Sequence, residues 1–282
     1  GVLSSGVPGT VDGMWKAHKK YGSKTWQALL APAIKLAEEG YIVHPVMQKG
    51  IEWRIDSFNN KNIKVNFSKY FANAKAGASF KQPELAQTLK RISTLGRDGF
   101  YQGKTAKIIS QFMAKNDGLI NEDDLASYQA KWRKPLIKAW RGYTVITAPP
   151  PSSGGFAILQ WLTMYDLVKK DAQYAHNSKE YMHLLSEIGK RVFADRAEYL
   201  GDPDFVEVPM AALLDLDYLT KRAADISLKR ISPTPDIKPG LKESSDTTHF
   251  SIVDKWGNAV ANTTTINYPF GSGVVIEGAG FL

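Results

Sequence analysis

The chain changes its hydrophobic period abruptly near residue 248, and that change limits the possible folds more than any other feature. Before it, apolar residues recur three and four apart, the spacing of amphipathic helices. Residues 231–246 then place Pro233, Pro235, Pro239 and Gly240 among polar neighbours, a composition that reads as an extended, mobile connector. After it, Thr248, Phe250 and Ile252 alternate with His249, Ser251 and Val253, the period of a strand. Lys255-Trp256-Gly257-Asn258 supplies a tight turn, and Ala259 to Asn267 returns as the second strand of a hairpin. A cleavable-looking connector thus runs straight into a β-hairpin.

The first half is expected to be largely helical. Val11 to Tyr21, Trp26 to Glu39, Met47 to Phe58, Pro83 to Ser93 and Thr105 to Lys115 are the candidate helices. In the second, Leu29, Leu30, Ile34 and Leu36 are expected on the buried stripe, with Gly40 as the stop. Asn121-Glu122-Asp123-Asp124 reads as an acidic helix start rather than a metal site, because carboxylates favour the positive end of the helix dipole. Gly142 to Ala148 reads as a strand; helices are expected after Gly155, over Ser178 to Tyr199, and within Met210 to Ile226. The apolar run Gly273 to Ile276 reads as a β-segment beside the last residue, which would leave an exposed edge. Both ends therefore read as cuts within a longer protein.

Composition excludes several classes. With 282 residues, 43% hydrophobic and 23% charged, the chain can bury a sizeable core, and no run approaches the roughly 18 apolar residues of a membrane span. The absence of cysteine removes disulfides, thiolate metal sites and a thiol nucleophile. The net charge of +8 suggests nucleic acid, yet the basic residues alternate with acids, as in Lys35-Leu36-Ala37-Glu38-Glu39, and form no dense stripe. No nucleic-acid partner is expected. The five histidines give no ligand pair at metal spacing, and His176 and His183 read as solvated helix residues. Asp202 and Asp204 read as turn residues. Ser152-Ser153-Gly154-Gly155 reads either as an anion cradle or as an ordinary helix cap.

Thr247 is the candidate nucleophile. A hydroxyl needs a base to take its proton, and no His/Asp pair is near in sequence. Cleavage of the peptide bond before Thr247 would free its own α-amine, which titrates near pH 7.7–8.0 and can serve as that base. The alternative is that Thr247 is simply a good strand residue.

The hairpin region resembles the start of the small subunit of the γ-glutamyltranspeptidases. The match runs from Thr247-Thr248-His249-Phe250-Ser251-Ile252-Val253-Asp254 through Thr263-Thr264-Thr265-Ile266-Asn267 to Phe270-Gly271-Ser272-Gly273. Upstream, Leu3-Ser4-Ser5-Gly6-Val7-Pro8-Gly9-Thr10-Val11, Asp124-Leu125-Ala126-Ser127-Tyr128, Pro149 to Gly155, Phe193-Ala194-Asp195-Arg196 and Gly201-Asp202-Pro203-Asp204-Phe205 follow the large-subunit motifs in the same order.

The resemblance implies an α/β fold, the four-layer α/β/β/α sandwich of N-terminal-nucleophile hydrolases, present here only in part. It implies a proenzyme that cuts itself at Asp246–Thr247. Residues 1–246 would be a large-subunit-like portion ending in connector 231–246, and 247–282 the start of a small-subunit-like portion, the two staying paired. Thr247 would attack glutathione-like γ-glutamyl amides, Thr265 would hydrogen-bond the nucleophile, and Asn267 would bind the glutamyl group. Water or an amino-acid or peptide acceptor would resolve the acyl-enzyme, and no metal or organic cofactor is implied. The substrate-carboxylate arginine would lie upstream of Gly1; the acidic residue, serine pair and oxyanion glycines would lie beyond Leu282. Periplasmic or secreted localisation follows from the same resemblance. The alternatives are a non-catalytic fragment or pseudoenzyme of the same fold, or a related acylase or poly-γ-glutamate-processing member.

Overall fold

A computed structural model of the protein describes residues 1–170, 172–237, 248–266 and 268–282. The chain divides into two units. The first comprises Gly1–Lys131 with Ser244–Leu282, and the second Trp132–Glu243.

In chain order, the first unit begins with α1 (Thr10–Tyr21), α2 (Trp26–Glu39), β1 (Tyr41–Ile42), α3 (Pro45–Asn60) and α4 (Phe67–Phe71). It continues with β2 (Ser79–Phe80), α5 (Pro83–Leu95), α6 (Asp98–Tyr101), α7 (Gly103–Lys115) and α8 (Glu122–Ser127). The second unit holds β3 (Leu136–Trp140), β4 (Tyr143–Thr147), α9 (Gly154–Lys169), α10 (Lys179–Tyr199), α11 (Met210–Leu213) and α12 (Leu216–Ala224). The hairpin β5 (Thr248–Val253) and β6 (Ala259–Thr264) belongs to the first unit again. Among the described residues the strands form three separate two-stranded antiparallel ribbons, β1–β2, β3–β4 and β5–β6.

The helix signals in the sequence are realised with their physical causes visible. Thr25 caps α2 by accepting from the Ala28 amide at 3.3 Å, and Gly40 ends it at φ +91°, a conformation that costs glycine little. Asn121 and Asp124 form a reciprocal capping box at the start of α8, which accounts for the acidic cluster without a metal. The β5–β6 turn is closed by Asp254, whose carboxylate accepts from the Trp256 and Asn258 amides, each at 2.9 Å.

Several expectations are corrected. In α2 the buried face is Trp26, Leu30, Ile34 and Ala37, whereas Leu29 and Leu36 are about half exposed. Adjacent helix residues lie about 100° apart, so a stripe one position off points away from α5. The Trp26 indole fixes the register by donating to the Ile92 carbonyl at 2.9 Å. The helix expected within Met210 to Ile226 is α12, capped by Asp215 through the Asp217 and Tyr218 amides, with the short α11 just before it. The segment Gly273–Ile276 is not a strand. It is irregular and buried, with both the amide and the carbonyl of Val275 held by the Asn66 side chain at 2.9 and 2.8 Å. A side-chain amide can replace a strand partner because it offers one donor and one acceptor.

Two apolar clusters fill the first unit, one around Tyr101, Ile109 and Leu125 and another around Ile51, Phe67 and Val275. A third, around Phe156, Ile188 and Leu219, fills the second. In that unit α10 also buries Glu187, Arg191 and Asp195, spaced four apart on one stripe. Burial alone would raise the Glu187 pKa. Hydrogen bonds from Lys190 at 2.6 Å, the Ser232 amide at 3.0 Å and Arg191 at 3.1 Å outweigh it and hold the carboxyl at about 2.

Because the folded value lies below the ordinary 4.5, this carboxylate's contribution is complete above that pH and is lost as the pH falls through about 2. Urea midpoints of the wild type are therefore expected to fall on acidification from about pH 5 to about pH 2. Glu187→Gln is expected to lower the midpoint at neutral pH and to flatten that acid limb. An unchanged limb in the variant would assign the acid loss to other groups.

Candidate active site

The site is built on the first unit, around a cavity of about 600 Å³. One wall is the N-terminal segment Ser4 to Val11, another is α5 through Leu85, Leu89 and Ile92, and a third is the turn after β6 through Thr265, Ile266 and Ser272.

The N-terminal wall is fixed from below. Tyr101, fully buried, donates its phenol proton to the Pro8 carbonyl at 2.6 Å, and its oxygen accepts from the Asp12 amide at 3.3 Å. Burial pushes the Tyr101 phenol up to about 12, so it remains a donor at any working pH. Asp12 is also fully buried. Its carboxylate takes the Arg97 Nε at 3.1 Å and the Ala130 amide at 2.6 Å. Arg97 spends its other face on the Tyr128 carbonyl at 2.6 Å and lies 4.7 Å from the Tyr101 ring centroid. A Cβ on Gly9 would sit 2.2 Å from the Tyr128 hydroxyl, so a larger residue there would have to displace that ring.

The turn after β6 is equally constrained. Phe270 sits at φ +60° and points its ring into the aromatic cluster, 4.9 Å from Phe67 by centroid. Gly273 has φ +73°, and a Cβ there would lie 2.1 Å from the Phe58 ring, so only glycine fits both backbone and space.

Thr265 is exposed toward solvent and lines the cavity. Asp246, Thr247 and Asn267 lie outside the described residues, as do residues 238–246 of connector 231–246, while its first part, expected to be mobile, is fixed at Ser232 by Glu187 and Lys190 at 3.0 and 2.8 Å. The strand register pairs Thr248 with Thr264, the sequence neighbours of Thr247 and Thr265.

Other candidates receive structural explanations. Asp202 and Asp204 both pair with Arg133, at 3.4 and 2.7 Å, and Asp202 also accepts from the Asp204 amide. His183 is half-buried against the Ser227 carbonyl at 2.7 Å rather than solvated, while His176 is exposed. Ser153 starts α9 with its hydroxyl accepting from Arg196 at 2.8 Å, and a Cβ on Gly155 would lie 2.1 Å from the Ala148 carbonyl. The glycine there serves close helix–strand packing.

What sequence reasoning missed is the support beneath the site: Asp12, Tyr101, Arg97 and Asn66. Each reads as an ordinary polar helix or loop residue, and only the long-range contacts reveal its place. Asp12 alone gave a signal, being the one acid in the first turn of α1 directly behind Pro8-Gly9.

The model of the gamma-glutamyltranspeptidase family matches residues 1–282. The chain belongs to the γ-glutamyltranspeptidase family. It is 51% identical over 283 residues to a glutathione hydrolase proenzyme of Pseudomonas aeruginosa, covering all of this chain and 50% of that protein. It spans about half the length of the curated relatives it matches. The γ-glutamyltranspeptidase of Pseudomonas nitroreducens, solved with L-DON, superposes with a TM-score of 0.78 at 47% identity over 86% of this chain and 72% of that one. A cephalosporin acylase from Bacillus halodurans superposes with a TM-score of 0.85 at 28% identity, over all of this chain and 52% of the acylase. The α/β N-terminal-nucleophile hydrolase fold expected from the family motifs is thus the fold of the chain, represented by a helix-rich share with short ribbons. Among the described residues no helix is long and apolar enough to cross a membrane.

Proposed function

We propose that the protein is a γ-glutamyl hydrolase and transferase of glutathione-like amides, working through a threonyl acyl-enzyme. The supporting observation is family membership along the whole chain, with a threonine at 247 and Thr265 on the cavity wall. In the first reaction the Thr247 hydroxyl attacks the Asp246 carbonyl. The peptide nitrogen leaves as the Thr247 α-amine, and water hydrolyses the resulting ester.

That amine then accepts the proton of the Thr247 hydroxyl as Oγ attacks the γ-glutamyl carbonyl. The departing amine takes the proton, leaving a glutamyl ester. Water completes hydrolysis, and an amino-acid or peptide amine completes transfer. Thr265 holds the nucleophile in line, and Asn267 binds the glutamyl end through its paired donor and acceptor. No cofactor is needed, because every proton and electron pair is supplied by the threonine, the substrate and water. Residues 1–246 and 247–282 stay associated as the two pieces of one site. A periplasmic or secreted location suits this substrate class and the family.

The test is an intact-mass time course of the purified protein at neutral pH, followed by a γ-glutamyl-anilide assay. Two masses summing to the precursor plus one water, with a new amino terminus at Thr247, and release of the anilide support the reading. A single persistent mass without hydrolysis overturns it in favour of a non-catalytic member. The superposition on a cephalosporin acylase favours a second reading, an acylase with the same nucleophile. Cleavage at Thr247 with hydrolysis of an N-acyl cephalosporin, but not of the anilide, would select it.

A further inference from the structure

The turn after β6 carries Thr265, and Asn267 follows two residues later in sequence, so what fixes the described residues of this turn bears on the proposed binding groups. Its own backbone bonds are short-range: the Gly271 amide donates to Tyr268 at 2.7 Å and the Gly273 amide to Phe270 at 3.0 Å. Such bonds set the shape of a turn but not its place. Packing places its far end, through Phe270 and Gly273 in the aromatic cluster.

Near its centre a group from 217 residues away takes hold. Arg54, on α3, donates a guanidinium N–H to the carbonyl of buried Gly271. The same guanidinium lies over two rings, 4.3 Å from the Phe58 centroid and 6.0 Å from that of Tyr268. Phe58 is the ring against which Gly273 packs. One planar cation therefore joins the helix core, the buried carbonyl and the residue directly after Asn267.

We propose that Arg54 is a positioning residue of this site, holding the 265–273 turn in the geometry that receives the γ-glutamyl group; this rests on the function proposed above. The choice of arginine is physical. A guanidinium can stack on a ring with its face while donating in its plane, and an ammonium cannot do both from one position. Removing it leaves a buried carbonyl without its donor and Tyr268 without its cation, so the turn relaxes.

The experiment uses the protein as expressed at its natural length and compares wild type, Arg54→Ala and Arg54→Lys. It measures cleavage by intact mass, the Michaelis constant for a γ-glutamyl anilide, and the rate per titrated active site. Displacing a binding group by about 1 Å can cost about a hundredfold, so Arg54→Ala is expected to raise KM at least about tenfold. Arg54→Lys is expected to fall between, and it keeps the test open should the alanine variant fold poorly. A reduced folded fraction lowers the apparent kcat and leaves KM alone, so KM separates positioning from plain stability.

A KM within about twofold of wild type in both variants would overturn the inference while the wild type's own cleavage and turnover upheld the proposed function. A wild type that neither cleaves nor hydrolyses would overturn the function and this inference with it.

Discussion

Replacing Thr247 with alanine is expected to leave one uncleaved polypeptide and no measurable γ-glutamyl hydrolysis. The variant removes two functions at once. The hydroxyl that would attack the Asp246 carbonyl is gone, so no α-amine is freed at residue 247. The hydroxyl that would form the acyl-enzyme is gone as well. When nucleophile and base act as a unit, deleting one member costs about as much as deleting both, so a loss of about 10⁴-fold or more is expected. Thr247→Ser supplies the control, since it retains the hydroxyl: slow cleavage followed by measurable turnover is expected. An alanine variant that is cut at the same bond would show that a protease, not Thr247, performs the cleavage. One that is uncut yet hydrolyses the anilide would remove the nucleophile assignment.

Asp12→Ala is expected to give the largest loss of stability. The carboxylate is fully buried and shared between Arg97 and the Ala130 amide, with Lys16 3.4 Å away. Deleting one partner of a buried pair strands the other charge and costs about 3–5 kcal/mol. For a unit of this size each kcal/mol moves the melting midpoint by about 2–4 °C, so a fall of about 10 °C is expected in the transition of the first unit. Asp12→Asn keeps an oxygen for the Ala130 amide and is expected to lose less. The two variants separate charge from hydrogen bonding. A loss below about 1 kcal/mol for the alanine variant would mean that the arginine is solvated on its own, in the manner of an exposed pair. Because Tyr101 connects Asp12 to the Pro8 carbonyl, the cavity wall is expected to loosen with it.

Much of this protein is legible in its sequence. Trp26–Glu39 was bounded to the residue because its start and stop are local: a threonine that caps and a glycine that takes positive φ. The β5–β6 hairpin was legible for the same reason, its turn being closed by Asp254 within four residues. The motifs, read in order, fixed the family, and with it came the expectation for Thr247, Thr265 and Asn267. What escaped were the faces and the partners. Of the expected α2 stripe, Leu30 and Ile34 face the core while Leu29 and Leu36, equally apolar, do not, because only packing against α5 chooses between them. The run Gly273–Ile276 had strand composition, yet Asn66 supplied its partner groups from 209 residues away.

The division follows from the range of the forces. Caps, turns and periodicity act over three to five residues, so the sequence determined most helices and the hairpin, while the ordered motifs carried the family and, through it, the expectation for Thr247. Burial and long-range hydrogen bonding depend on which surfaces meet. The tertiary structure alone therefore decided that Asp12, Tyr101 and Arg97 sit beneath the cavity, and that Arg54 holds the turn on its other side. A lone polar residue shows little in the sequence, because its role resides in a partner tens to more than two hundred residues away.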